Sequence, residues 1–312
     1  MRWWLVAVVR PGLRPATADT YQRLTRLYVL PKLGEVLLPE LTSQRLRRWS
    51  TELTVTPSRD GGVLSPRTVA YVQAVLRSAL AEAVRLDLLT ANPMAGVRPP
   101  RPRAIPVRTF TLEEMHRLDA VRECHRLGSL FSFLWQSGLR IGEALALRWG
   151  DVDLTEGTLT VCRNLVEVSG RLIEGSPKSR AGFRQIVLPA QTVELLQEVK
   201  ATAPRQDPGA LVFPNRLGGP LSRRNVTRTW AEVRAAVGLP SYGLHALRHT
   251  NASLQLLAGV GIAEIAAHLG HENPTVTART YAHVLYPTKR RAASTFDRLL
   301  ARAEEEAGAS GP

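Results

Sequence analysis

Four short segments collect side chains suited to holding and cutting a phosphodiester. In chain order they are Ser137-Gly138-Leu139-Arg140-Ile141-Gly142-Glu143, Pro177-Lys178-Ser179-Arg180, Leu244-His245-Ala246-Leu247-Arg248-His249, and Leu269-Gly270-His271 running on to Tyr281-Ala282-His283. An arginine forks two N–H donors towards phosphate oxygens. A lysine can give up a proton where an arginine practically cannot, and a neutral imidazole can accept one. A phenol flanked by cations becomes a nucleophile, and His271, Arg140 and Arg248 are cations or potential cations for Tyr281 if the fold converges.

Each segment also has a plainer reading when taken alone. Arg140 and Glu143, one turn apart at a predicted helix start, have the spacing of a surface ion pair. Lys178 at a hairpin tip has the setting of a solvated turn residue. It is singled out by scarcity, because the chain holds only Lys32, Lys178, Lys200 and Lys289 while arginine fills the other basic positions. His245 and Arg248, three apart, share a helix face near a helix start whose free amides also suit an anion. A buried, hydrogen-bonded histidine is the alternative there, and a core tyrosine is the alternative at position 281.

The elements that must position these groups follow from the hydrophobic period. Upstream, helices are predicted over Thr20–Leu30 and Thr42–Leu53. A further one opens at Ser65-Pro66, an N-cap with proline at the first helical position, and runs through Val69, Val72, Leu76 and Leu80 to near Thr90. Residues 97–108 carry four prolines and four arginines and cannot hold a regular helix, which marks a boundary between two domains. Thr111 with Glu114 three residues on has the spacing of a capping box. Residues 157–188 then alternate in a β-like way with a turn at Ser169-Gly170, predicting a small antiparallel sheet. From Ser222 the helical period returns through Val226, Trp230, Val233 and Val237 to a stop at Gly238.

The expected fold is therefore mainly α with a small antiparallel β-sheet, an α+β arrangement. Its parts are a helical domain over 1–98, a Pro/Arg linker over 99–108, a second domain over 109–303 and a disordered tail over 304–312. With 312 residues the chain is long enough for two cores. Lysine plus arginine exceed aspartate plus glutamate by 41 to 27, a formal net charge of +14, which points to a polyanion and above all to nucleic acid. A GC-rich coding bias towards arginine is the competing source of that charge. Cys124 and Cys162 have no metal-ligand spacing, which implies neither zinc nor a disulfide framework and fits a reducing cytoplasm. The apolar stretch Trp3–Val9 is too short for a membrane span and lacks a leader's cleavage site.

In this order the four segments resemble the tyrosine recombinases, the phage integrase family. The resemblance rests on Gly138-Leu139-Arg140 with Glu143, a hairpin Lys178, His245-x-x-Arg248, Leu269-Gly270-His271, and Thr277-x-x-x-Tyr281-x-His283. Upstream, Leu30-Pro31-Lys32-Leu33-Gly34 and Ala91-Asn92-Pro93 resemble the family's core-type DNA-binding domain. The similarity thus covers most of the chain, although residues 1–16 leave no room for the arm-binding domain that many members carry.

The resemblance implies a site-specific recombinase that cuts and rejoins duplex DNA through a 3′-phosphotyrosyl bond at Tyr281, integrating or excising a mobile element. Arg140 and Arg248 would clamp the scissile phosphate, Lys178 would be the general acid, His245 a proton acceptor or hydrogen-bond partner, and His271 a support for the phosphate. Glu143 would hold Arg140 in place, and linker residues Arg98, Arg101, Arg103 and Arg108 would lie near the DNA backbone. Four protomers would assemble on two sites, with an accessory directionality or DNA-bending protein, in the bacterial cytoplasm at the nucleoid. Exchanging one phosphodiester for another bond of similar energy calls for no ATP, metal or other cofactor. Competing readings are a type IB topoisomerase-like activity and a catalytically silent DNA-binding regulator of a mobile element.

Overall fold

The computed structural model describes residues 1–58, 61–101, 107–177, 179–281 and 297. It forms two compact units, Met1–Ile105 with Val168–Gly170, and the remainder of the chain. Lys178, Arg103, His283, part of the Pro/Arg segment and the tail 304–312 lie outside the described residues.

In the first unit, α1 (Arg2–Trp4), a π-helical stretch over Leu5–Val9 and α2 (Arg10–Gly12) form one helical run. Next, α3 (Pro15–Leu24) passes through a second π-helical stretch, Thr25–Val29, into α4 (Leu30–Leu33). This helical run extends beyond the predicted Thr20–Leu30 because Pro15 opens it at the first helical position, where its missing N–H costs nothing. In α5 (Ser43–Thr54) the Thr42 hydroxyl accepts the Arg45 N–H at 3.3 Å. Likewise, the Ser65 hydroxyl caps α6 (Pro66–Arg85) by accepting the Thr68 N–H at 3.1 Å. The latter helix ends at Arg85 and not near Thr90, since Asp87 turns to a left-handed φ of 56°. Leu46, Trp49, Val69, Val72, Val75 and Leu76 make the centre of this unit's core.

The second unit opens with α7 (Leu112–Ala120) and its expected capping box: the Thr111 N–H donates to Glu114 at 2.8 Å and the Glu114 N–H to the Thr111 hydroxyl at 3.2 Å. Every residue of α8 (Gly128–Ser137) except Ser129 is buried, so this helix is the centre of the unit. Asp119 satisfies two of its interior polar groups, accepting from the Ser132 hydroxyl at 2.5 Å and the Trp135 indole at 3.0 Å. A short α9 (Ile141–Leu145) follows.

Next come β1 (Val152–Asp153), β2 (Thr158–Val161), β3 (Asn164–Val168), β4 (Arg171–Gly175) and β5 (Arg184–Val187). Three strands form an antiparallel sheet in the order β1-β2-β5, with Leu159 opposite Ile186 and both facing the core. The other two make a separate hairpin turned by Ser169 and Gly170 at φ 49° and 79°. Helices α10 (Ala190–Thr202), α11 (Arg223–Ala236), α12 (His245–Leu257), α13 (Ile262–Leu269) and α14 (Pro274–Tyr281) complete the described unit. Val226, Trp230 and Val233 of α11 are buried on the face their spacing predicts, and Gly238 at φ 66° ends the run. The chain is thus mainly helical with small antiparallel sheets. Among the described residues no helix is long and apolar enough to cross a membrane.

Candidate active site

The turn that presents Arg140 is set by Gly138, which closes α8 at φ 66°. A Cβ there would stand 2.5 Å from the Asn251 side-chain oxygen, so both backbone and space require glycine. Two residues later Arg140 occupies the position before α9, and its N–H donates to Glu143 at 3.0 Å. The Arg140 guanidinium donates to the other Glu143 oxygen at 2.8 Å and to the Gly270 carbonyl at 3.2 Å.

Glu143 is no surface partner, being 4% exposed. It is shared with Arg184 of β5, whose two terminal nitrogens donate to its two oxygens at 3.3 and 3.0 Å. Burial alone would raise the Glu143 pKa, but the hydrogen bond and charge of Arg184, and then those of Arg140, outweigh it, and the net shift is downward. Arg184 also donates to the His268 carbonyl at 2.6 Å and the Gly182 carbonyl at 3.2 Å. One carboxylate therefore joins α9, β5 and, through its two arginines, the end of α13. Glu143→Ala leaves two cations facing each other without their shared counter-charge. The expected loss is about 3–5 kcal/mol, read as a fall in the thermal unfolding midpoint, with a smaller fall for Glu143→Gln.

Arg248, on the first turn of α12, is 3% exposed. It donates to the Gly138 carbonyl at 2.8 Å, to the Leu269 carbonyl at 2.5 Å and to His271 Nε2 at 3.2 Å. Burial, and then the nearby charge of Arg140, pull its pKa down to about 9, still above neutrality. Because a guanidinium only donates, His271 Nε2 must be the accepting nitrogen. The ring proton therefore sits on Nδ1, which donates to the Thr277 hydroxyl at 2.7 Å. Burial and the charges of Arg248 and Arg140 lower the His271 pKa to about 4, so the ring is neutral near pH 7. His245, the first residue of α12, keeps part of its surface in solvent, while the protein packed about its ring, and then the charges of Arg248 and Arg140, bring its pKa also to about 4.

Arg140, Arg248 and His271 thus converge on the three-residue turn Leu269-Gly270-His271, where Gly270 takes φ 66°. Tyr281 lies at the end of α14 and is 1% exposed, packed with Ala252, Leu256, Ile265 and Leu269. Its hydroxyl shares a 2.7 Å hydrogen bond with His249 Nδ1. Burial pushes its pKa up to about 12 against the opposing pull of Arg248. Among the described residues no group of three or more His, Cys, Asp or Glu is arranged to hold a metal ion.

Residues 109–288 match the family model described as Phage integrase family. The chain belongs to that family. Relatives of the integrase include a tyrosine recombinase XerC-like protein of Caldanaerobacter subterraneus subsp. tengcongensis, 27% identical over 96% of this chain and 82% of its own length. Tyrosine recombinase XerC of Xylella fastidiosa is 30% identical, with 88% of each chain covered. Among solved structures, the Tn1549 transposon integrase in complex with a circular intermediate DNA superposes with a TM-score of 0.78 at 20% identity, covering 92% of this chain and 96% of that one. A lambda integrase dimer bound to a core site gives 0.67 at 19% identity, with 89% and 93% covered. The family makes this chain a DNA recombination enzyme of the tyrosine recombinase type.

Two site residues of the integrase escaped the sequence reading. Arg184 carried no signal, because it is one arginine among many and its partner is 41 positions away in the chain. His249 did carry one, since it follows Arg248 directly and lies one helical turn beyond His245, whose ring it meets edge-on at 4.5 Å. Of the arginines expected near DNA, Arg98 and Arg101 are exposed in the first unit, and Arg108 in the second lies over the Tyr242 ring at 5.6 Å.

Proposed function

We propose that this integrase cuts and rejoins duplex DNA at specific sites, with Tyr281 as the nucleophile, to integrate or excise a mobile element. The observation that carries the reading is the convergence of two arginines and a neutral histidine on one glycine turn, with a tyrosine on the next helix. In the step envisaged, the Tyr281 oxygen forms a bond to the scissile phosphorus while the bond to the 5′ oxygen breaks. The phenolic proton passes to the neutral His245 imidazole, and Lys178 gives a proton to the departing 5′ oxygen, which leaves as a hydroxyl. Arg140 and Arg248 offset the charge that builds on the non-bridging oxygens, and His271 supports the phosphate through Arg248. Glu143 keeps Arg140 aimed. Arg98, Arg101, Arg103 and Arg108 add backbone contacts that raise affinity more than specificity.

The exchange replaces one phosphoester with another of similar energy, so the reaction proceeds without ATP, metal or other cofactor. Four protomers act on two paired sites, with an accessory protein setting direction, in the bacterial cytoplasm at the nucleoid.

Covalent trapping tests the reading. The protein is incubated with attachment-site DNA from the sequence flanking its gene, nicked so that the cut fragment diffuses away, and then denatured. A protein–DNA adduct formed in chelator without ATP is expected. Binding to a verified site with no adduct would instead make the chain a silent regulator, and relaxation of supercoils without a partner site would make it topoisomerase-like. On the same substrate Lys178→Ala is expected to slow cleavage by about 10²–10⁴-fold, the usual contribution of a general acid. A 5′-thiolate leaving group, which needs no proton, should restore most of that rate; persistence of the defect would assign the acid elsewhere.

A further inference from the structure

Tyr281 presents its hydroxyl to a residue outside the catalytic set inferred from the sequence. We infer that His249 is a positioning residue that latches Tyr281 in a buried resting pose, so that strand cleavage requires the hydrogen bond between them to open. The inference rests on the reading of Tyr281 as the nucleophile.

The geometry argues for it from both ends. The Tyr281 ring is 1% exposed and enclosed by Ala252 and Leu256 of α12 and by Ile265 and Leu269 of α13. A phosphate on duplex DNA does not reach an oxygen held inside such a cluster, so the phenol must move before it attacks. Opposing that movement, the hydroxyl is bonded to His249 Nδ1 at 2.7 Å, its one polar partner among the described residues. A buried hydroxyl without a partner is unfavourable, so removing Nδ1 raises the energy of the resting pose while leaving the released phenol untouched.

The two histidines of the inferred catalytic set make no hydrogen bond to the Tyr281 hydroxyl. Both ring nitrogens of His271 are engaged, by Arg248 and by Thr277. His245 sits one turn earlier on α12 and meets His249 only edge-on. Burial, then His245 and Arg248, lower the His249 pKa to about 4, so near pH 7 the latch joins two neutral groups.

Three variants test it in single-turnover covalent trapping on the nicked attachment site. His249→Phe keeps the ring but has no nitrogen, His249→Gln places its amide near the Nε2 position, and His249→Asn places an amide atom near Nδ1. Adduct formation is expected to be about fivefold faster in Phe and Gln, the factor that corresponds to one ordinary hydrogen bond, and Asn is expected to bring the rate back towards wild type. DNA affinity should not change. Ultraviolet difference titration against Tyr281→Phe in each background should show the phenol ionising at lower pH in Phe and Gln than in wild type. If Phe fails to fold, the Gln and Asn pair decides alone.

Rates in Phe and Gln equal to or below wild type would overturn the latch, and slow rates rescued by added imidazole would recast His249 as a proton acceptor. An adduct in Tyr281→Phe itself would overturn the reading of the nucleophile. No adduct there, combined with no acceleration in the His249 variants, would remove only the latch.

Discussion

Tyr281→Phe is expected to bind attachment-site DNA with an affinity within a few-fold of wild type and to form no covalent adduct. On the proposed reading the substitution removes the atom that attacks phosphorus. The Thr277 hydroxyl, one turn earlier on α14, is bonded to His271. Binding should persist because the affinity of so basic a chain comes chiefly from neutralising phosphates, with +14 formal charge unaltered by the change. Stability should move by only about 1 kcal/mol, the worth of the lost hydrogen bond to His249. Gel-shift titration and denaturing gels after trapping read the two quantities separately. An adduct in the variant would assign the nucleophile to another residue.

Arg248→Lys should lower the single-turnover cleavage rate by about 10²–10³-fold, comparable to loss of one preorganised donor to a transition-state oxyanion. Charge is retained, so the loss would report geometry. The guanidinium spreads its donors over the Gly138 and Leu269 carbonyls and His271, while a lysine ammonium is a single point that cannot span them. The turn that carries Arg140 is tied down by the first of those bonds, so the same substitution should loosen both arms of the proposed phosphate clamp. Arg140→Lys is a useful contrast, because the Arg140 side chain is 38% exposed and its loss should lower cleavage with less effect on the unfolding midpoint. Cleavage by Arg248→Lys within about tenfold of wild type would show that the buried fork is structural and that the phosphate is held elsewhere.

Much of the fold was legible because its determinants are local. The capping box at Thr111 and Glu114, the Ser65 cap, the glycine stop at Gly238 and the α11 face of Val226, Trp230 and Val233 each depend on residues a few positions apart. The helix end misplaced at Thr90 shows the limit of the same logic. Apolar period continues through Leu86, Leu88 and Leu89, but the left-handed Asp87 breaks the helix before that period ends. The Ser169–Gly170 turn was read correctly, yet its hairpin proved separate from the sheet made by β1, β2 and β5.

By itself the sequence determined which residue types stand at which spacing, and that sufficed to single out Arg140, Glu143, Arg248, His271 and Tyr281 and the family resemblance they carry. Only the tertiary structure decided how those groups are electrostatically committed. Burial turns Glu143 from one half of an apparent surface pair into the shared counter-ion of Arg140 and Arg184. It leaves His271 neutral with a defined tautomer, and it gives the Tyr281 hydroxyl to His249. The physical reason is that hydrogen-bond partners and desolvation are set by which segments the core brings together. Position 184 meets position 143, and position 281 meets position 249, through packing that no local period encodes.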